Sequence, residues 1–127
     1  MDLSATLPAS LRKQVEGFLD LHEGWNGYGA PAPNHAAVAG ASSALAALQD
    51  MLPAPDRVAP SAVGGVGVTY RRGARKAYVE CYNSGQIVLL LSDSQAEQLQ
   101  TCKVDASAGG LANLPNVIKE FLDGGIA

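Results

Sequence analysis

At 127 residues, with 47% hydrophobic and 17% charged side chains, the chain is long enough to bury a core and fits one domain, 1–127, better than two. The formal net charge is -3, which excludes a uniformly basic nucleic-acid wrapper. The longest strongly apolar run, Ile87 to Leu91, is far below the roughly 20 residues of a spanning helix, so no membrane partner is expected.

Residues 1–7 read as a flexible start. Leu7, Leu11, Val15, Phe18, Leu19 and His22 then recur at steps of three and four, which predicts a helix from Pro8 to His22 with Thr6 as N-cap and Gly24 as its stop. The next stretch, GWNGYGAPAP from Gly24 to Pro33, has neither helix nor strand period. Glycines at 24, 27 and 29 permit positive backbone angles, and Pro31 and Pro33 hold the exit extended. It reads as an ordered joint.

Asn34 is placed to cap a second helix, in which Val38, Ala41, Leu45, Leu48 and Leu52 form the apolar stripe. Ala37, Ala44 and Ala47 give that helix a thin flank, and Gly40 weakens it by about 1 kcal/mol relative to alanine. Pro53 and Pro55 end it.

From Asp56 the period changes to two. Arg57 to Ser61 is a short edge strand, since Pro60 lacks a ladder donor. Gly64 and Gly65 turn the chain into Val66, Val68 and Tyr70, and Arg71 to Arg75 around Gly73 is a hairpin tip. Ala77, Val79 and Cys81 return against Tyr78, Glu80 and Tyr82. Asn83 to Gln86 is a second turn, leading into the central strand from Ile87 to Leu91. Residues 94–105 support two readings: Ser94 and Glu97 have capping-box spacing, while Gln98 to Val104 alternate, and a strand is favoured. Residues 106–112 read as a flexible link before a short terminal helix carrying Pro115, Val117, Ile118, Phe121 and Leu122, stopped by Gly124 and Gly125. The expected fold class is α+β: two N-terminal helices packed on a four- or five-stranded antiparallel meander, with a short C-terminal helix.

The usual catalytic sets are missing. There is no G-x-S-x-G elbow, H-E-x-x-H, Walker loop or paired-carboxylate motif. Gly64 to Val68 opens a strand without a lysine or helix, so it reads as a turn rather than a phosphate loop. His22, His35 and Cys81 would need to converge to do chemistry; the plainer reading leaves both histidines at helix ends and both cysteines, Cys81 and Cys102, as buried thiols. No enzyme activity, metal or cofactor is expected. The N-terminal MDLSATLPASLRKQ lacks the pattern of an export signal, so the expected location is the cytoplasm, with reduced thiols.

Two constellations remain as partner-binding candidates. Trp25 and Tyr28 either cover the seam between helices and sheet or stand exposed as an aromatic anchor, with Asn26 satisfying loop amides in both cases. Arg71, Arg72, Arg75 and Lys76 hold four of the nine basic residues within six positions. The rest of the chain then sets five basic residues against twelve acidic ones, a formal charge of -7. That hairpin is a solvated tip, a contact for an acidic or nucleic-acid-like protein surface, or a direct nucleic-acid reader helped by Tyr70, Tyr78 and Tyr82. The acidic remainder favours a basic protein or ribonucleoprotein as partner and disfavours direct nucleic-acid binding. Charge reversal of Arg72 or Arg75 is expected to weaken a complex without altering the fold.

The order Trp25-Asn26-Gly27-Tyr28-Gly29-Ala30-Pro31, then a helix, then Gly64-Gly65-Val66 before a meander, resembles a group of small uncharacterised bacterial and mobile-element proteins with a W-[DN]-G-Y-x-A-x-P motif. The resemblance spans roughly residues 8 to 92, with Val68-Thr69-Tyr70 where an acidic-aromatic strand end is more usual. It implies an antitoxin-like or inhibitor-like role, and the function expected for this chain is that of a small non-enzymatic protein that binds and neutralises a toxin or a host-defence complex such as a CRISPR effector. The alternative is a nucleic-acid-binding accessory or regulator that uses the basic hairpin.

Overall fold

The alternation that begins at Arg57 builds five strands, and their register sorts every side chain onto one of two faces. In the computed structural model, which describes residues 8–105 and 107–124, these are β1 (Arg57–Ser61), β2 (Gly65–Arg72), β3 (Arg75–Tyr82), β4 (Ile87–Asp93) and β5 (Gln98–Val104). They pair antiparallel in the order β1-β2-β3-β4-β5, so the meander and the strand reading of 98–104 both hold. Three helices complete an α+β fold: α1 (Ala9–Gly17), α2 (His35–Leu48) and α3 (Ala108–Leu122). The start assigned to 1–7, the Thr6 cap and the Gly125 stop lie outside the described residues.

One sheet face presents Val66, Val68, Tyr70, Ala77, Val79, Cys81, Ile87, Leu89 and Leu91, all buried. The helices close over it with Val15 from α1, Val38, Leu45 and Leu48 from α2, and Leu111, Leu114, Ile118 and Phe121 from α3. Fully burying each such Leu, Ile or Val contributes about 1.5–3 kcal/mol. The alanines of α2 set the spacing: Ala37, Ala41 and Ala44 are fully buried, and a methyl added at Gly40 would sit 3.6 Å from Cys81 Cβ and 3.7 Å from Ile87 Cδ1. Asn34 caps α2 as expected, its side chain accepting the Ala37 amide at 3.0 Å.

Five expectations need correction. The second helix, α2, ends at Leu48, short of Leu52 and the prolines expected to stop it. The first helix does not reach His22: α1 ends at Gly17, a 3-10 turn covers Phe18–Asp20, and Leu21 is extended with ψ 153, so the apolar stripe outlasts the helix and His22 is exposed. The terminal helix is not short. Its 15 residues begin at Ala108, with the Ser107 side chain accepting the Gly110 amide and Pro115 inside the helix. Of the glycines that suggested a link, Gly110 is the one that lets the helix start here, since a Cβ there would lie 2.0 Å from the Asp105 carbonyl oxygen. The helical layer therefore contains α3 as well as the N-terminal pair. Lastly, Cys102 is exposed, because the edge strand β5 is exposed along nearly all its length.

Candidate functional site

The joint between α1 and α2 is rigid for local reasons. Gly24, Gly27 and Gly29 take φ of 81, 83 and 81°, a region closed to most side chains. The ring so formed is closed by the Gly24 amide donating to the Ala30 carbonyl at 2.8 Å and the Gly27 amide donating to Gly24 at 2.9 Å. Asn26 Oδ1 accepts from the Tyr28 amide at 2.8 Å and the Ala30 amide at 3.2 Å, the role its sequence position suggested. Trp25 is half-buried and its Nε1–H donates to the Pro31 carbonyl at 3.0 Å. Tyr28 is 93% exposed. The indole therefore braces the loop itself and is not among the side chains packed on the core, while the phenol stands in solvent.

Asn83, in the β3–β4 turn, fastens this loop to the sheet. Its Oδ1 accepts the Asn34 amide at 2.9 Å, its Nδ2 donates to the Ala32 carbonyl at 3.0 Å, and its own carbonyl accepts Asn34 Nδ2 at 3.0 Å. The Asn83 amide donates to the Gly64 carbonyl at 3.0 Å. Gly64 has φ 93°, and a Cβ there would stand 2.9 Å from Asn83 Nδ2 and 3.3 Å from Pro31. One asparagine thus joins the loop, the β1–β2 turn and the β3–β4 turn.

The basic hairpin is split by strand alternation. Arg72 and Arg75 share the helix-covered face. Arg72 pairs with Asp123, and Arg75 Nε donates to Asp93 Oδ2 at 3.1 Å while its Nη1 donates to the Phe121 carbonyl. The Arg75 guanidinium also lies 4.8 Å from the Phe121 ring centroid. Lys119 adds a 3.0 Å pair with Asp123. These cations hold the C-terminal end of α3, where the helix dipole is negative. Asp93 is held below the usual carboxylate range mainly by the Ala96 amide, with the Gln95 amide and Arg75 adding to it against burial.

Arg71 and Lys76 project to the other face, on which none of the buried helical residues packs. There, with Asp56, Arg57, Ser61, Thr69 and Tyr78, they line a groove of about 550 Å³. Tyr78 lies across β2 because Gly67 leaves room: a Cβ at 67 would stand 2.2 Å from the Tyr78 hydroxyl and 2.7 Å from two ring carbons. Burial, and then the hydrogen bond and charge of Glu80, push the Tyr78 hydroxyl up, with an opposing hydrogen bond from Ser61. Glu80 is buried, and its Oε1 has no hydrogen-bond partner among the described residues.

The histidines and Cys81 have contrasting settings. His22 and His35 are exposed, whereas Cys81 faces α2 in the core. Burial, with a smaller contribution from the Glu80 charge, pushes its thiol up to about 12, and a thiol held protonated is a poor nucleophile. Among the described residues no three His, Cys, Asp or Glu side chains are grouped to hold a metal ion, and no helix is long and apolar enough to cross a membrane.

Sequence reading missed Asn83, Arg57 and Gly67. Asn83 looks like a turn residue, and its partners lie 49 and 51 residues away. Gly67 did carry a signal, because glycine inside a strand marks close approach by another group. No protein-family model matches the chain, and no curated protein or solved structure matches it.

Proposed function

We propose that this chain is a small non-enzymatic inhibitor that binds and neutralises a partner protein or ribonucleoprotein through protein–protein contacts, in the manner of an antitoxin or an anti-defence protein such as an anti-CRISPR. The supporting observation is Tyr28: a large aromatic, 93% exposed, on a loop already fixed by its own hydrogen bonds. Binding through a mobile loop loses affinity to ordering, about 0.5–1.5 kcal/mol per immobilised side chain, and a preformed loop avoids much of that loss. Tyrosine supplies broad contact area at low entropy, as at interaction hot spots. Asp20 and Glu23, both exposed on the run into the loop, favour a basic surface opposite it.

In this reading Trp25 and Asn26 are the scaffold and Tyr28 the anchor. Arg72 and Arg75 serve the clamp on α3, so their reversal would perturb the fold and is a poor test of contact. A nucleic-acid reader is disfavoured because a polyanion needs a track of cations, and two of the hairpin's four are turned into the clamp.

The test is affinity capture of the tagged protein from the organism that encodes it, with nuclease treatment, comparing wild type and Tyr28→Ala. A stoichiometric protein partner that survives nuclease and is lost from Tyr28→Ala is the expected result, with the thermal melt unchanged because the side chain is solvated. Equal capture by both proteins, or loss of every partner on nuclease treatment, would overturn the reading.

A further inference from the structure

The open sheet face holds an arrangement that the loop reading leaves unused. Arg71 and Lys76 are directly opposed across the β2–β3 ladder and share a face, and Arg57 lies one strand over, opposite Thr69 on β1. Like charges directly opposite one another on neighbouring strands repel. None of the three takes part in the side-chain ion pairs of the described residues, which are Arg72–Asp123, Arg75–Asp93 and Lys119–Asp123. All three line the same groove of about 550 Å³. The one carboxylate on its wall, Asp56, has Oδ2 committed to the Arg71 amide at 2.7 Å. Asp56 keeps its charge, and the three cations set against it leave the groove net positive on a molecule whose net charge is -3.

We infer that this groove binds a small phosphate-bearing ligand, with Arg57, Arg71 and Lys76 on the phosphate and the Tyr78 ring beside the ligand's body. A doubly charged phosphate offsets the repulsion between the opposed cations, and guanidinium and ammonium groups are its usual partners. Tyr78 supplies a flat apolar wall, laid down by the absence of a side chain at Gly67, and the Ser61 and Thr69 hydroxyls supply polar contacts at the rim. Glu80, further along β3, does not line the groove. The small size of the ligand follows from the charge map: outside the groove the strand positions of this face hold Glu80 and Lys103 as their only other charged side chains, so a polymer would find no continuing track along the sheet. This inference is independent of the Tyr28 interface.

The test is thermal-shift and calorimetric titration at low salt with inorganic phosphate, AMP and adenosine on the full chain and on Arg71→Ala/Lys76→Ala. Both substituted positions lie off the core, and removing the opposed charges should leave the variant's own melting temperature equal or higher. Wild type is expected to bind phosphate, to bind AMP more tightly, and to ignore adenosine. The double variant should lose about tenfold or more in AMP affinity, the scale of a charge-assisted contact. No saturable binding of phosphate or AMP, binding of adenosine equal to that of AMP, or undiminished AMP affinity in the folded double variant would each overturn the inference. An oligothymidylate that binds with a log–log salt slope steeper than about -2, more than three phosphate contacts give, would also overturn it in favour of a polynucleotide track.

Discussion

Asn83→Ala isolates the tie between loop and sheet. The substitution removes the acceptor of the Asn34 amide at 2.9 Å and the donor to the Ala32 carbonyl at 3.0 Å. It leaves the backbone bonds of residue 83 to Gly64 and to the Asn34 side chain in place. Each lost bond contributes about 0.5–1.5 kcal/mol. Asn34 is exposed, so water replaces part of what is lost, and the expected cost is about 1–2 kcal/mol. With a urea dependence of about 1–3 kcal/mol per molar, the unfolding midpoint should fall by roughly 0.5–1 M. Asn83→Asp sharpens the test. It keeps an acceptor for the Asn34 amide but sets a carboxylate oxygen against the Ala32 carbonyl, so it should be no more stable than the alanine variant. Hydrogen exchange at the Asn34 amide should accelerate in Asn83→Ala. A midpoint change equivalent to less than about 0.5 kcal/mol, the range of an ordinary surface substitution, or an Asn83→Asp protein as stable as wild type, would refute this account.

Two further outcomes follow from the packing and the carboxylates. Gly40→Ala should stabilise the protein by about 0.5–1 kcal/mol, because alanine favours the helix and the added methyl makes ordinary contacts at 3.6 and 3.7 Å with Cys81 and Ile87; a lowered urea midpoint would show that α2 cannot accept it. Asp93 and Asp105 both have folded-state pKa values below the ordinary one, Asp93 chiefly through the Ala96 amide and Asp105 through the Ser107 amide. Their contribution is present above the unfolded carboxylate value of about 3.9 and is lost as pH falls through the lower folded values. Acid titration of stability should therefore steepen below about pH 4, and Asp93→Asn should flatten that region; an unchanged acid limb would contradict the assignment.

The strands, their order and the joint were legible because their causes are local. Alternation at Val66, Val68 and Tyr70 and again at Ala77, Val79 and Cys81 fixes which side chains face the core, and each turn is too short for anything but an antiparallel neighbour. Asn34 caps α2 and Asn26 folds the loop through atoms only a few residues away. The same local reading misplaced both ends of the helical layer. Phe18, Leu19 and His22 continue the three-and-four spacing beyond the end of α1, and Gly109 and Gly110 look like a link until Asp105 is seen to press against Gly110.

What the tertiary structure alone decided is which groups meet. Arg71, Arg72, Arg75 and Lys76 are one cluster in sequence, but the pleat sends Arg72 and Arg75 to α3 and leaves Arg71 and Lys76 to join Arg57 on the open face. Asn83 became the loop's fastener by reaching Ala32 and Asn34 across the fold. Side-chain period is a property of the backbone and can be read along the chain, whereas a partner tens of residues away is set only when the sheet and helices close on one another.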